Sequence, residues 1–175
     1  MGLVITKIKE HSNIKEMILN EVHKTKQNNY RNVTSTDWQT PSNIERTYFT
    51  KYIKDIINKY YTRIAEQLGL KDFNLTKLII HNWWFQIYDK NSTHDWHTHA
   101  GSHFTNVYFI ELPDSTCATE IKGHNNLNIE EGDLITFPAY WPHRSPTNTT
   151  NKRKTIVSFN TSYEYRTFFS NNNRV

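Results

Sequence analysis

The sequence contains almost no cysteine and no long apolar run. Its 175 residues include one cysteine, Cys117, which cannot form an internal disulfide, so nothing indicates an oxidising compartment. The N-terminus lacks the apolar core and the small-residue cleavage site of a signal peptide. No later run reaches the roughly 18 apolar residues that a membrane helix needs. We therefore expect a cytoplasmic protein without a membrane anchor.

A strong excess of one charge is also absent. The formal net charge is +4, the sequence pI is about 9.1, and basic residues cluster only at Lys152-Arg153-Lys154. This balance permits acidic partners but does not require them. Because the sequence shows neither a paired Cys/His finger nor an aromatic RNA-binding strand, we expect no dedicated nucleic-acid-binding role. The oligomeric state is open.

Residues 1–70 follow the hydrophobic period of helices. A capping box at Ser42-Asn43-Ile44-Glu45 and Gly69 mark the ends of a long amphipathic helix, and a shorter helix is expected over about residues 14–26. We interpret this region as helical support for another element. The expected buried stripes are Ile14, Met17, Ile18 and Val22 in the shorter helix, and Ile44, Tyr48, Phe49, Tyr52, Ile53, Ile56, Ile57, Tyr60, Tyr61, Ile64 and Leu68 in the longer one.

From residue 74 the hydrophobic period changes to two, which is typical of β-strands. Many short strands between turn clusters indicate a sandwich or barrel, so we predict a jelly roll over residues 74–160, with the long helix on one outer face. The whole chain, residues 1–175, is then one mainly β domain with N-terminal helices and a tail over residues 161–175. The predicted strands cover residues 75–88, 103–112, 118–122, 127–129, 134–137 and 153–160.

The most informative motif is Trp96-His97-Thr98-His99, followed 44 residues after its last histidine by His143 in a proline-bounded loop. Two histidines at positions i and i+2 of a strand project from the same face. Neutral imidazole is a common ligand for iron, zinc, copper and nickel, so His97, His99 and His143 could hold one cation. Nine histidines in the chain produce some close pairs by chance, but the distal His143 favours a metal site.

Several segments resemble a known family when they are taken together and in order. They resemble the Fe(II)- and 2-oxoglutarate-dependent oxygenases, and among them the small members often encoded by phages. The resemblance extends from about residue 80 to 160. The segments are Trp83–Tyr88, Trp96–His99, Phe104–Phe109, Glu131–Pro138, His143–Pro146 and Arg153–Asn160.

The resemblance implies a double-stranded β-helix that uses Fe(II), 2-oxoglutarate and O2. It assigns the iron to His97, His99 and His143. It also implies a basic residue, about ten positions after the last histidine, that pairs with the far carboxylate of 2-oxoglutarate. Arg153 stands at that distance, and guanidinium suits a carboxylate. Lys154 is the close alternative, because successive strand residues face opposite sides.

The resemblance also implies a reaction. The expected outcome is hydroxylation of an unactivated C–H bond, with succinate and CO2 as coproducts. Tyr108 and Gln86 are candidates for hydrogen bonds to 2-oxoglutarate. The substrate is open among a protein side chain, a small metabolite and a nucleobase. A phage-encoded protein of this kind would act in the host cytoplasm.

One position departs from the family pattern. The commonest triad of the family carries Asp or Glu where this chain has His99, and we do not assign Asp95 as a replacement carboxylate ligand. The spacing of Gly132, Pro138 and His143 is also similar to the second cupin motif, although Tyr140 replaces its glycine. The alternative is therefore a cupin-like metal or small-molecule binding module without redox chemistry. The flanking residues His94 and His103 could support the metal ligands or contact the substrate, but we expect each to be a surface or turn residue.

Overall fold

The computed structural model describes residues 2–41, 43–70 and 76–165. These residues form a mostly β structure with two α-helices, α1 (His11–Lys24) and α2 (Lys54–Gln67), and a π-helical segment, Phe49–Ile53, that leads into α2. The strands in chain order are β1 (Val4–Lys7), β2 (Asn28–Tyr30), β3 (Val33–Thr36), β4 (Thr76–Tyr88), β5 (His94–His97), β6 (Phe104–Glu111), β7 (Glu120–Ile121), β8 (Asp133–Pro138), β9 (His143–Ser145) and β10 (Lys154–Tyr165).

Two antiparallel sheets organise the strands. The larger sheet has seven strands in the order β1-β8-β6-β10-β4-β3-β2, and the smaller has three in the order β5-β9-β7. Except for β2 and β3, neighbours in the large sheet are distant in the chain, so non-local pairing joins residues from both ends. No helix in the described part of the chain is long and apolar enough to span a membrane.

Strand β10 is the centre of the large sheet, and its two faces meet different surroundings. Val157 and Phe159 belong to an apolar cluster that also contains helical side chains such as Ile18 and Ile57. On the other face, Ile156 belongs to a second apolar cluster made by the strands and the loops between them. Side chains of both helices share this first cluster with Val157 and Phe159, so we call that face of β10 the helical face. We call the opposite face, which contains Ile156 and Ser158, the inner face; it lines the site described below.

The prediction that residues 1–70 are helical support is wrong in part, because three strands lie in this region. Strand β1 pairs with β8 and β3 pairs with β4, as in the partners Val4 and Thr136. These strands have three or four residues each, which is too short to show a period of two. Their positions come from the partners that they join.

The long helix ends where the sequence predicts but begins later. Ser42 lies outside the described residues, and Ile44, an expected core residue, is 48% exposed in a turn in which its N–H donates to the Pro41 carbonyl. The helical backbone begins at Thr47. The helix stops at Gly69, whose φ of +71° suits a residue without a Cβ.

The other boundaries need smaller corrections. In α1 the buried residues are Ile18, Leu19 and Val22, whereas Met17 is 42% exposed, so the apolar face is rotated from the predicted stripe. Residues 127–129 do not form a strand, and β10 continues to Tyr165, which places residues 161–165 in the sheet and not in a tail. The rest of the predicted tail, residues 166–175, lies outside the described residues.

Candidate metal centre

Three histidines converge on one face of the small sheet. His97 ends β5 and is paired across the ladder with His143, the first residue of β9, while His99 follows β5 by two residues. The ring centroids are 4.3 Å apart for His97 and His143, 4.9 Å for His99 and His143, and 5.2 Å for His97 and His99. One nitrogen from each ring lies within 4.8 Å of the others. This spacing suits a single cation with three imidazole ligands.

Hydrogen bonds fix the tautomer of each ring. In all three histidines Nδ1 faces an acceptor oxygen and therefore carries the proton, which leaves the Nε2 lone pair for a cation. The Nε2 atom of His99 is buried and has no hydrogen-bond partner among the described residues. A buried nitrogen lone pair without a partner fits a metal ligand. The acceptors are the backbone oxygen of Asp95 for His97 (2.7 Å), that of Trp141 for His143 (2.9 Å) and Oδ1 of Asn160 for His99 (2.7 Å).

Asn160 connects the triad to the large sheet. Its Nδ2 donates to Oδ1 of Asn82 at 2.7 Å, which leaves its Oδ1 to accept from His99. The hydroxyl of Thr105 lies 2.9 Å from the same His99 nitrogen. Sequence reasoning did not identify Asn160 as a site residue. Its position two residues after Ser158 on the inner face of β10 is the signal that could have found it.

Burial keeps the triad neutral at physiological pH. Loss of water lowers the pKa of His99 to about 4 and that of His143 to about 3, and it also lowers the pKa of His97. Neutral imidazole is the form that binds metals. The ligand set is therefore uncharged, because no carboxylate joins the cluster among the described residues.

A small cavity of about 20 Å³ adjoins the triad. Gln86 lines it, and its Nε2 lies 3.2 Å from Nδ1 of His94, whose ring stacks on His97 at 4.1 Å. His94 is thus part of the site and not a surface residue as expected, whereas His103 is exposed and does not line the cavity. The cavity wall consists of Trp84, Gln86, Tyr88, His94, Val107, Thr119, Arg144, Ser145, Ile156 and Ser158 in addition to the triad.

Lys154 is fully buried on the same face of β10 as Ile156, Ser158 and Asn160. Its Nζ donates to the Cys117 carbonyl at 2.6 Å and to Oγ of Ser145 at 2.7 Å, both neutral acceptors. It also lies 4.8 Å from the centre of the Tyr88 ring. Burial lowers the pKa of Lys154 to about 7. No carboxylate forms an ion pair with Lys154 within the part of the chain that is described.

Arg153 and Tyr108 lie on the opposite face. The guanidinium of Arg153 donates two hydrogen bonds to the Glu111 carboxylate, at 2.7 and 3.0 Å, and its Nη1 lies 2.9 Å from His23. The Tyr108 hydroxyl lies 2.8 Å from Nδ1 of His11, within the cluster that contains the helices. Of the residues predicted to bind 2-oxoglutarate, the structure brings Gln86 and Lys154 to the inner face and places Arg153 and Tyr108 away from it.

An open groove lies beside the metal cavity. It measures about 660 Å³ and follows β7 and the loop after it, and Thr119 lines both the groove and the cavity. Trp96, which is 46% exposed, stands at the same groove one residue before His97. The guanidinium of Arg144 lies 4.9 Å from the centre of the Trp96 ring.

No protein-family model matches the sequence, and no curated protein is significantly similar to it. Solved structures, in contrast, are similar over nearly the whole chain. HygX from Streptomyces hygroscopicus, solved with nickel, 2-oxoglutarate and hygromycin B, has a TM-score of 0.65 and 11% identity, covering 96% of this chain and 84% of its own.

Two further structures agree with this result. A 2OG-Fe(II) oxygenase family oxidoreductase from Burkholderia pseudomallei has a TM-score of 0.63 at 12% identity, covering 92% of this chain and 84% of its own. The viral collagen prolyl hydroxylase from Paramecium Bursaria Chlorella virus-1, in complex with 2OG, has a TM-score of 0.57 at 12% identity, covering 93% and 97%. The chain has the fold of the 2OG-Fe(II) oxygenases. At such identities the likeness concerns the fold, and it agrees with the resemblance of the sequence segments.

Proposed function

We propose that the protein is an Fe(II)- and 2-oxoglutarate-dependent oxygenase, and specifically a hydroxylase. The observation that carries this proposal is a cavity between the two sheets. Three neutral imidazoles at the small sheet converge there, and the inner face of β10 and β4 opposite them carries a buried lysine that has no anionic partner among the described residues. This pair of features suits a divalent cation together with a dicarboxylate. The fold shared with 2OG-Fe(II) oxygenases supports the same reading.

The finer architecture belongs to this proposal. We propose that the large and small sheets face each other as the two halves of a jelly-roll barrel, with α2 on its outer face. The support is that His143 in the small sheet and Asn160 in the large sheet both approach His99. The apolar cluster on the helical side, which contains Tyr60 and Ile64 of α2 together with Phe159, supports the helix placement.

In this reading His97, His99 and His143 hold the iron through Nε2. Lys154, and not Arg153, pairs with the far carboxylate of 2-oxoglutarate. The Arg153 guanidinium is already satisfied by Glu111 on the other face, whereas the Lys154 ammonium has neutral acceptors that a carboxylate could replace. A charged hydrogen bond in a buried site is stronger than one to a neutral acceptor.

When bound, Fe(II), 2-oxoglutarate and O2 would supply the hydroxylation chemistry: one oxygen atom of O2 would enter the new hydroxyl group, and the other would enter the succinate that forms from 2-oxoglutarate with loss of CO2. The chain's own residues bind the metal and 2-oxoglutarate, orient them and shield them from water. Trp84, Tyr88 and Ile156 give the cavity apolar walls that limit the access of water. Gln86 and His94 add polar groups beside the triad that could orient an oxygen atom of a ligand. The groove along β7 is the proposed entry for the substrate, because it adjoins the cavity at Thr119.

The test is incubation of the protein with Fe(II), 2-oxoglutarate and O2, with succinate as the readout. We expect succinate to form slowly without a substrate and faster with the right one. The signal should disappear in His143→Ala and fall strongly in Lys154→Met. If the wild-type protein binds iron but yields no succinate with any substrate class, the proposal of an oxygenase is wrong.

One observation favours a second candidate, a cupin-like metal or small-molecule binding module without redox chemistry. The ligand set has three histidines and no carboxylate among the described residues, which is also the ligand set of known zinc sites. Native metal content separates the two candidates. Zinc bound after purification, together with no affinity for 2-oxoglutarate, favours the binding module.

A further inference from the structure

The metal cavity receives no negative charge from the described residues. Each triad histidine donates its Nδ1 proton to a neutral carbonyl oxygen, whereas a carboxylate often takes this bond in histidine metal sites. Among the described residues that line the cavity, Arg144 is the one charged side chain. Both the ligands and the groups that orient them are therefore uncharged.

The acidic residues near the site are directed elsewhere. Asp95 is exposed, and it is its backbone oxygen, not its carboxylate, that contacts His97. The Glu120 carboxylate lies 2.7 Å from Nε of Arg144 and is neutralised there. Neither carboxylate replaces the anionic ligand that the triad lacks.

Lys154 makes the charge imbalance larger. A divalent cation at the triad and a protonated Lys154 would place three positive charges in a buried region whose acceptors are neutral. Buried charges are costly unless they are paired. A dicarboxylate that reaches both groups would remove most of this excess. Each cation would then bind the anion more tightly because the other is present.

We propose that the metal and the dicarboxylate bind as a mutually neutralising pair, so that the cosubstrate supplies the negative charge that this chain's own metal ligands lack. This inference rests on the oxygenase proposed above. It states that neither the divalent cation nor the dicarboxylate binds tightly alone. By linkage, each must raise the affinity of the other by the same factor.

The first experiment measures that factor with Mn(II), because this ion does not start the reaction. Mn(II) is titrated into the full-length protein with and without saturating 2-oxoglutarate, and 2-oxoglutarate is titrated with and without Mn(II). We expect each affinity to rise by at least about tenfold, and by equal factors. A change below about twofold overturns the inference.

Direct chelation of the metal by 2-oxoglutarate also raises affinity, so a second ligand separates charge from chelation. The 5-methyl monoester of 2-oxoglutarate keeps the chelating end but lacks the far negative charge. In the wild type we expect the monoester to raise Mn(II) affinity by a smaller factor than 2-oxoglutarate does. In Lys154→Met we expect the two ligands to raise it by the same factor. Lys152→Met, at an exposed lysine two residues earlier, is the matched control and should behave as the wild type. Equal factors for both ligands in the wild type contradict the role of Lys154.

The most discriminating variant introduces a carboxylate among the metal ligands. His99→Asp should bind Mn(II) more tightly than the wild type when no 2-oxoglutarate is present, and its coupling factor should fall by at least about fivefold. If this variant loses its thermal unfolding transition, His97→Asp replaces it, because the hydrogen bond of the His97 ring within the described ranges is to a backbone carbonyl and not to a side chain. An unchanged coupling factor in whichever variant folds overturns the inference.

These binding readouts are independent of catalysis. If metal and 2-oxoglutarate binding are strongly coupled but no succinate forms, the charge pairing is supported and the proposal of an oxygenase is wrong. Succinate formation with a coupling factor that His99→Asp does not change would support the oxygenase and overturn the charge pairing.

Discussion

Arg153 and Lys154 are neighbours in the chain but stand in opposite environments. Arg153 is on the side of the helical face and is held by the Glu111 carboxylate. Lys154 is on the inner face, which lines the histidine cavity, and among the described residues its Nζ contacts neutral acceptors. The paired charge of Arg153 contributes to the folded structure. A buried charge with only neutral acceptors among the described residues costs stability, which supports the proposal that Lys154 meets an anionic ligand. The same contrast separates Tyr108, on the helical face, from Gln86 at the metal cavity.

The largest effect should come from the triad itself. Replacing His97, His99 or His143 by Ala removes one of three ligands, so each variant should lose more than about 100-fold in metal affinity. Metal content after dialysis in a buffer that contains 2-oxoglutarate checks this, because the wild type is expected to hold the metal tightly under that condition. His81→Ala is the control, since that histidine is exposed and bonded to Ser162. If a triad variant retains the metal content of the wild type, the replaced histidine is not a metal ligand.

Lys154→Met should weaken 2-oxoglutarate binding by about 10- to 150-fold, the equivalent of 1.5–3 kcal/mol for a charged hydrogen bond. Metal binding without 2-oxoglutarate should remain. Calorimetric titration of 2-oxoglutarate into the Mn(II)-loaded protein measures the loss. If this variant binds 2-oxoglutarate as tightly as the wild type, Lys154 is not the partner of the far carboxylate.

The same variant should change how stability depends on pH. Because burial lowers the pKa of Lys154 from 10.5 to about 7, the folded state releases its proton more readily than the unfolded chain. The charge penalty is therefore full below pH 7 and declines as the pH rises towards 10.5. Relative to ligand-free Lys154→Met, the wild type should gain about 2–3 kcal/mol of stability between pH 6 and pH 9.

Denaturant unfolding of both proteins at several pH values measures this difference. The histidines titrate in both proteins, so their contribution cancels in the comparison. Parallel stability curves for the wild type and Lys154→Met would show that Lys154 is not electrostatically strained.

Asn160→Ala should reduce metal affinity by about 10- to 100-fold, because His99 loses the oxygen that orients its ring. Competition with a metal chelator gives the number. Asn82→Ala serves as the control: it removes the outer partner of Asn160 but leaves the bond to His99, so a smaller loss is expected. Equal losses in both variants would indicate a general change in packing.

The smallest effect should come from Arg153→Ala. Its ion pair with Glu111 is partly exposed, so stability should fall by about 1 kcal/mol or less, and 2-oxoglutarate affinity should change less than twofold. The titration used for Lys154→Met checks both variants side by side. A loss of 2-oxoglutarate binding at Arg153 alone would reverse the assignment of the two faces.

The sequence predicts the parts of this molecule that depend on local patterns. The period of two indicates the long strands, and the His-x-His motif with a distal histidine indicates the residues that the fold brings together. The end of α2 at Gly69 follows from a backbone preference of a single residue. These signals lie within a few residues of the features that they specify.

The remaining features depend on partners that are distant in the chain. Strands β1 to β3 are short and form because β8 and β4 offer edges to pair with. The late start of the long helix follows the turn in which Arg46 binds Asp37 and the Thr40 carbonyl, an arrangement that a capping box does not encode. The choice between Arg153 and Lys154 depends on the register of β10 against β4, in which Lys154 pairs with Tyr88.

The most direct test is a crystal structure of the protein with Mn(II) and 2-oxoglutarate, grown without O2. We predict one metal ion bound by Nε2 of His97, His99 and His143, with the far carboxylate of 2-oxoglutarate within hydrogen-bond distance of Nζ of Lys154. A metal ion elsewhere, or a carboxylate held by Arg153 on the helical face, would contradict it.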